Sequence, residues 1–204
     1  MDKYSSFDEL KKSEQEGLDF RVVIREREKS NTVIIAPHGG GIEPGTSEIA
    51  EELAGKDISL VMFEGIKKSS NGELHITSTN FDEPRCLSLI QNAKSVIAIH
   101  GEESLENIIY LGGADIVLGE FIRLALEKYE FEVKKHIDSM LQGKASNNIC
   151  NRGDGGKGVQ LELARGMRET FFDSLTVSGR KKPTDKLYIF VKALREGLDS
   201  VGKL

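Results

Sequence analysis

Apolar positions along the chain fall into short β-branched runs separated by amphipathic stretches. Residues 20–25, 32–37 (TVIIAP), 60–63, 95–99 (SVIAI) and 159–163 have the length and residue types of strands, and 32–37 and 95–99 suit strands buried on both faces. Residues 74–76 and 108–111 predict two shorter strands. Helical spacing predicts helices over 6–16, 46–54, 84–93, 120–131, 166–175 and 185–198, with Thr46 or Ser47 capping the second. Gly39–Gly45 turns the chain between strand and helix. Strands alternating with helices predict an α/β fold, a mixed and mostly parallel sheet with helices on both faces. No repeat, low-complexity tract or shift in composition divides the chain, so residues 1–204 are expected to form one domain.

In such folds ligands gather at the carboxyl ends of the strands. Two predicted strands run straight into histidines there, 32–37 into His38 and 95–99 into His100. Zinc favours imidazole nitrogen and carboxylate oxygen, with three protein ligands and one open position in catalytic sites. Glu43 lies five residues after His38, and the intervening glycines can fold it back toward the same ion. Two unrelated histidines fit the spacing too. Glu48 is a rival ligand, although the first turn of a helix gives a carboxylate another role. His75 precedes the polar run Thr77-Ser78, whereas His136 follows two lysines in a charged stretch expected to be helical and exposed.

Gly158–Arg168 (GVQLELARGMR) is the second informative segment. Strand alternation puts Val159, Leu161 and Leu163 on one side and Gln160 and Glu162 on the other. Burying that carboxylate is expensive unless it is paired, bound to metal or catalytic. An edge strand with both polar residues in water is the alternative. Arg152, in NICNRG, offers a planar fork for a carboxylate, and Arg165 and Arg168 could hold further acidic groups.

Composition narrows the possibilities. A net charge of −5 lacks the basic excess that an electrostatic grip on nucleic acid would need. The short run Arg180-Lys181-Lys182 reads as a solvated loop. Cys86 and Cys150 make no disulfide framework and read as structural thiols. The polar N-terminal segment lacks a signal-peptide core, and no stretch approaches the ~20 apolar residues of a membrane span. A cytoplasmic, monomeric protein without a membrane or nucleic-acid partner is expected.

The blocks APHGGGIEPGTSEIAEELAG (36–55), FEG (63–65), LHITSTNFDEP (74–84), AIHG (98–101), GGAD (112–115), NICNRG (148–153) and GVQLELARGMR (158–168) together resemble the poly-γ-glutamate hydrolase family of bacteriophages and bacilli. The N-terminal YSSFDEL and EGLDFRV share in the resemblance, which spans nearly the whole chain. It implies a zinc carboxypeptidase-like fold, zinc held by His38, Glu43 and His100, and cleavage of the γ-amide bonds of poly-γ-glutamate. It assigns Glu162 as general base toward a water activated by zinc, and Arg152 as a contact to the substrate. Arg165, Arg168 and His75 would join Arg152 in holding the α-carboxylates of this polyanion. The family's His-x4-Glu is longer than the His-x-x-Glu of ordinary carboxypeptidases, which keeps Glu48 beside Glu43 as a candidate. Alternative substrates are a small N-acyl amino acid or a γ-glutamyl peptide; a phage replication-associated binding protein is an alternative of another class. Cell lysis would bring a cytoplasmic enzyme to an extracellular polymer.

Overall fold

The apolar runs become the strands of one seven-stranded sheet in a computed structural model that describes residues 2–202. The strands are β1 (Phe20–Arg25), β2 (Thr32–Gly40), β3 (Ser59–Gly65), β4 (Ser95–Glu102), β5 (Ile108–Gly113), β6 (Glu132–Lys134) and β7 (Val159–Ala164), in the order β1-β3-β2-β4-β7-β5-β6. β2 pairs in parallel with β3 and β4, β4 with β7, and β5 with β6. The pairs β1·β3 and β5·β7 are antiparallel, so the sheet is mixed and mostly parallel as expected. Of the domain expectation over 1–204, Met1, Lys203 and Leu204 lie outside the described residues.

The central strands are apolar in succession because they are covered on both sides. On β2, Ile34 and Ala36 face one core, and Val33 and Ile35 face the other. The first core packs under α2 (Thr46–Ala54), α4 (Ile116–Lys128), α5 (Arg165–Thr170) and α6 (Asp185–Asp199). The second packs under α1 (Phe7–Leu10) and α3 (Pro84–Gln91). No helix among the described residues is long and apolar enough to cross a membrane.

Several elements differ from the sequence expectation. The first helix is a single turn, because the chain then bends back and Glu14 meets Tyr4 and Lys67. Residues 74–76 form no strand. Leu74 and Ile76 are buried, but the polar groups between and beside them bind Asp2 and His38 instead of a strand edge. α4 begins four residues early, where the Asp115 side chain accepts from Leu118 N. Neither Thr46 nor Ser47 caps α2: Gly45 takes that position, Thr46 Oγ1 donates to Glu43 O, and Ser47 Oγ accepts from Gly40 N. α5 stops at Thr170, where the chain turns so that Phe172 can bridge to Pro183. β6 carries one apolar residue between two charged ones, too little pattern to be seen in the sequence. His136 lies outside any helix, its ring 4.5 Å from that of Tyr110.

Candidate active site

β2 and β4 are parallel neighbours, with Ile35 opposite Ala98, so their carboxyl ends bring His38 and His100 together. Pro37 lacks the N–H that a ladder needs, and the register of β2 against β3 shifts between Ala36 and Gly39. That break lies at His38. The chain then turns back, with Glu43 N donating to His38 O at 2.9 Å, and returns the Glu43 carboxylate to the histidines. His38 Nδ1 lies 2.9 Å from Glu43 Oε1 and 3.2 Å from His100 Nδ1. His100 Nδ1 is 3.8 Å from the other carboxylate oxygen, which also accepts from Gly101 N at 2.7 Å.

The opposite side of the His38 ring fixes its chemistry, whereas His100 faces a hydroxyl that can donate or accept. His38 Nε2 is 2.8 Å from Ile76 O, an atom that can only accept, so Nε2 carries the hydrogen. His100 Nε2 lies 3.3 Å from Ser78 Oγ. Both rings thus turn Nδ1 toward Glu43, and electron-rich atoms converge. Such a cluster requires a positive charge in its midst, a proton or a metal ion. Tetrahedral zinc with bonds of about 2.0–2.1 Å has donor–donor edges of about 3.3 Å; the two Nδ1 atoms are 3.2 Å apart, and the two Glu43 oxygens lie 2.9 Å from His38 and 3.8 Å from His100 respectively.

His75 is a second candidate for the third donor. Its ring lies 3.9 Å from that of His38, and its Nε2 is 3.8 Å from Glu43 Oε1. Donor atoms of His38, Glu43 and His75 all fall within 4.8 Å of one another. His75 Nδ1 is held by Asp2 Oδ1 at 2.8 Å, while Asp2 Oδ2 accepts from Thr77 N and Thr77 Oγ1. His75 is partly exposed and His100 buried, so His100 gives the drier and better-shielded donor.

The metal-free electrostatics follow from this crowding. Burial works against charge on His38, but the Glu43 carboxylate and the Ile76 carbonyl leave its pKa raised. Burial also opposes ionisation of Glu43, yet His38, His100 and the Gly101 N–H bring it down to about 2. Burial lowers His100 to about 3 against the pull of Glu43. His75 is lowered by burial and by the charge of His38.

β7 completes the site. Its parallel register against β4 sets Glu162 opposite His100. A cavity of about 440 Å³ is lined by His38, Glu43, His75, His100 and Glu162, together with Thr77, Ser78 and Thr79. Glu162 is 6% exposed, and burial with the charges of Glu43 and Glu102 pushes its pKa well up. Gln160 Nε2 donates to Glu162 Oε1 at 2.8 Å, and Asn148 Nδ2 holds the Gln160 oxygen at 3.1 Å. The edge-strand alternative therefore does not hold: both polar side chains are buried in one network.

The arginines occupy other places. Arg152 Nη1 donates to Phe81 O, Arg165 pairs with Glu169, and Arg168 is buried with its guanidinium on backbone carbonyls. None of the three lines the cavity. Their nearness to Glu162 in sequence does not carry over to side-chain direction. Glu48 faces Arg180 at 2.7 Å, away from the histidines, and Arg180 is buried, so the basic run is only partly a solvated loop. Cys86 and Cys150 are buried free thiols, and burial pushes Cys150 up to about 12. Sequence reasoning missed Asp2, Asn148 and the Gly101 N–H, and met Ser78 only as part of the polar run after His75. Asp2 lies 73 residues from His75 and carries no local signal.

A sequence profile of the family described as poly-gamma-glutamate hydrolase matches residues 4–193. The Bacillus subtilis (strain 168) protein YndL is 37% identical over 195 residues, covering 95% of this chain and 76% of YndL. The SPbeta prophage-derived protein YoqZ of the same organism is 38% identical over 188 residues, 92% of this chain and 68% of YoqZ. Among solved structures, a bacteriophage poly-gamma-glutamate hydrolase superposes with a TM-score of 0.94 at 28% identity, covering 98% of both chains. YndL, solved in a form described as apo and zinc-free, superposes with a TM-score of 0.93 at 35% identity, covering 99% of this chain and 100% of the other.

Proposed function

The chain belongs to the poly-gamma-glutamate hydrolase family, and from that premise we propose that it cleaves γ-glutamyl amide bonds with a zinc ion held by His38, Glu43 and His100. The convergence of the two Nδ1 atoms and the Glu43 carboxylate carries this reading. The zinc-free description of the relative YndL supports zinc as the metal. The cavity wall, which includes Glu43, Glu102, Glu103 and Glu162 and, among the described residues, neither lysine nor arginine, favours a bound cation. A polyanionic substrate would be repelled by such a wall without a bound cation.

Zinc in this position supplies Lewis acidity toward the amide carbonyl and lowers the pKa of water. The protein's own groups move the proton. The Glu162 carboxylate takes it from the attacking water and delivers it to the nitrogen of the departing amine. Glu162 must be ionised to start, and in the metal-free state its surroundings disfavour that. A neighbouring cation reverses this by favouring the carboxylate. Gln160 aims the carboxylate by holding one oxygen. Arg152, Arg165 and Arg168 do not line the cavity; His75 and the hydroxyls of Thr77, Ser78 and Thr79 form the polar wall that receives the substrate.

The cavity volume also suits a small γ-glutamyl peptide or N-acyl amino acid, so the experiment must separate polymer from small substrate. Purified protein is assayed for zinc by mass spectrometry and for shortening of poly-γ-glutamate on gels, with and without chelator. We expect about one zinc per chain, shortening that stops on chelation, and recovery with added zinc. Full activity in metal-free protein would overturn the zinc reading. Hydrolysis confined to small γ-glutamyl compounds would overturn the polymer reading.

A further inference from the structure

Arg168 is among the largest fully buried side chains, 1% exposed, and does not line the cavity. Its guanidinium donates to three carbonyls on three separate segments. Nε donates to Leu163 O at 3.0 Å, Nη1 to Pro44 O at 2.6 Å, and Nη2 to Glu102 O at 2.9 Å. Each acceptor is a near neighbour in sequence of a proposed site group. Leu163 follows Glu162, Pro44 follows Glu43, and Glu102 lies two residues past His100.

A further contact closes the arrangement. A Cβ on Gly101 would come 2.7 Å from Arg168 Cζ, so only a glycine lets the backbone after His100 lie on the guanidinium. The N–H of that same glycine holds Glu43 Oε2. The nearest carboxylate paired with Arg168 is that of the exposed Glu103, at 4.0 Å. The fork is thus spent on backbone carbonyls, not on an ion pair. A planar guanidinium can reach three diverging acceptors at once, whereas an ammonium is a point charge without that fixed spread.

We propose that Arg168 is a positioning residue that sets the spacing of Glu43, His100 and Glu162 by tying their three backbone segments together. It touches neither substrate nor metal. The inference rests on the zinc hydrolase reading for what the three groups do. The geometric demand is steep, since a misplacement of about 1 Å can cost about 100-fold in rate.

The test uses the full chain with Arg168→Lys, and Arg180→Lys as a matched buried arginine outside the clamp. Zinc affinity is measured by chelator competition, kcat and KM on poly-γ-glutamate, and folding by thermal melting. Arg168→Lys is expected to weaken zinc at least tenfold and lower kcat about 100-fold, with KM within about threefold. Arg180→Lys is expected to lose comparable thermal stability while zinc affinity and kcat stay unchanged. Arg168→Gly with millimolar guanidinium chloride should recover part of the zinc affinity and kcat that it lacks, with no matching change in Arg180→Gly treated the same way. If Arg168→Lys does not fold, Arg168→Gln, which keeps an N–H donor for one of the three carbonyls, takes its place in the same measurements. Zinc affinity and kcat near wild type in the folded variant overturn the proposal, as do equal losses in Arg180→Lys. Zinc affinity is read without substrate, so it judges the clamp even if wild-type protein fails to cleave the polymer.

Discussion

Glu162 sits inside an otherwise apolar strand, opposite His100 on a parallel ladder, with Gln160 on one of its oxygens. Glu162→Gln keeps an oxygen for that hydrogen bond but cannot take a proton. It should retain zinc and lose roughly 10²–10⁴-fold in kcat, the usual share of a general base; kinetics paired with metal analysis check both. Glu43 and Glu48 separate in the same way. Glu43→Gln should leave the chain well short of one zinc, because it removes the carboxylate that faces both Nδ1 atoms. Glu48→Gln should keep zinc and turnover and lose about 1–3 kcal/mol, because it leaves the buried Arg180 guanidinium without its carboxylate. The pattern legible in the residues was the placing of His38, His100 and Glu162 on strands. The choice of Glu43 over Glu48 was not legible, because it depends on where a glycine turn points a side chain.

At the scale of elements, the turn between β2 and α2 decides the site. Gly45 begins α2 with φ +100° and ψ −22°, in the left-handed region, and a Cβ there would meet Phe172 Cε2 at 3.2 Å and Leu175 Cδ2 at 3.3 Å. Gly45→Ala should therefore cost about 1–2 kcal/mol, read from urea unfolding. Strand runs and helix periodicity located most elements within a few residues. The failures share a cause. Residues 74–76 alternate like a strand, but their polar groups are taken by Asp2 and His38, and β6 is too short to show a period.

For the whole molecule, the proposed metal site would couple folding, proton binding and pH. Without metal, His38 has a raised pKa beside Glu43. The stability this contributes is fully present below its unfolded value near 6.5 and is lost as pH rises through the raised folded value. Glu43, depressed to about 2, contributes stability above its unfolded value near 4.5 that is lost as pH falls toward 2. On the proposed zinc reading the ion would displace the His38 proton and favour loss of the Glu162 proton, so binding would release protons. Apparent zinc affinity should accordingly rise with pH between 6 and 8, and the gap in melting temperature between zinc-loaded and metal-free protein should widen at fixed zinc. Calorimetric titration and thermal melts across that range check it; a gap that narrows with pH would contradict the proton displacement.

The sequence by itself determined the α/β class, the two-faced central strands and the strand-end position of both histidines. Those follow from local rules of hydrophobic period and strand length. Only the tertiary structure decided which groups meet. Parallel pairing of β2, β4 and β7 brought together residues 62 positions apart, Asp2 reached His75 across 73, and Arg168 bonded to Pro44 across 124. The direction of an arginine side chain is set by whichever carbonyls surround it after folding, and no local pattern encodes that. For this reason Arg168, expected in the sequence to face the substrate, turns its guanidinium to three backbone carbonyls instead.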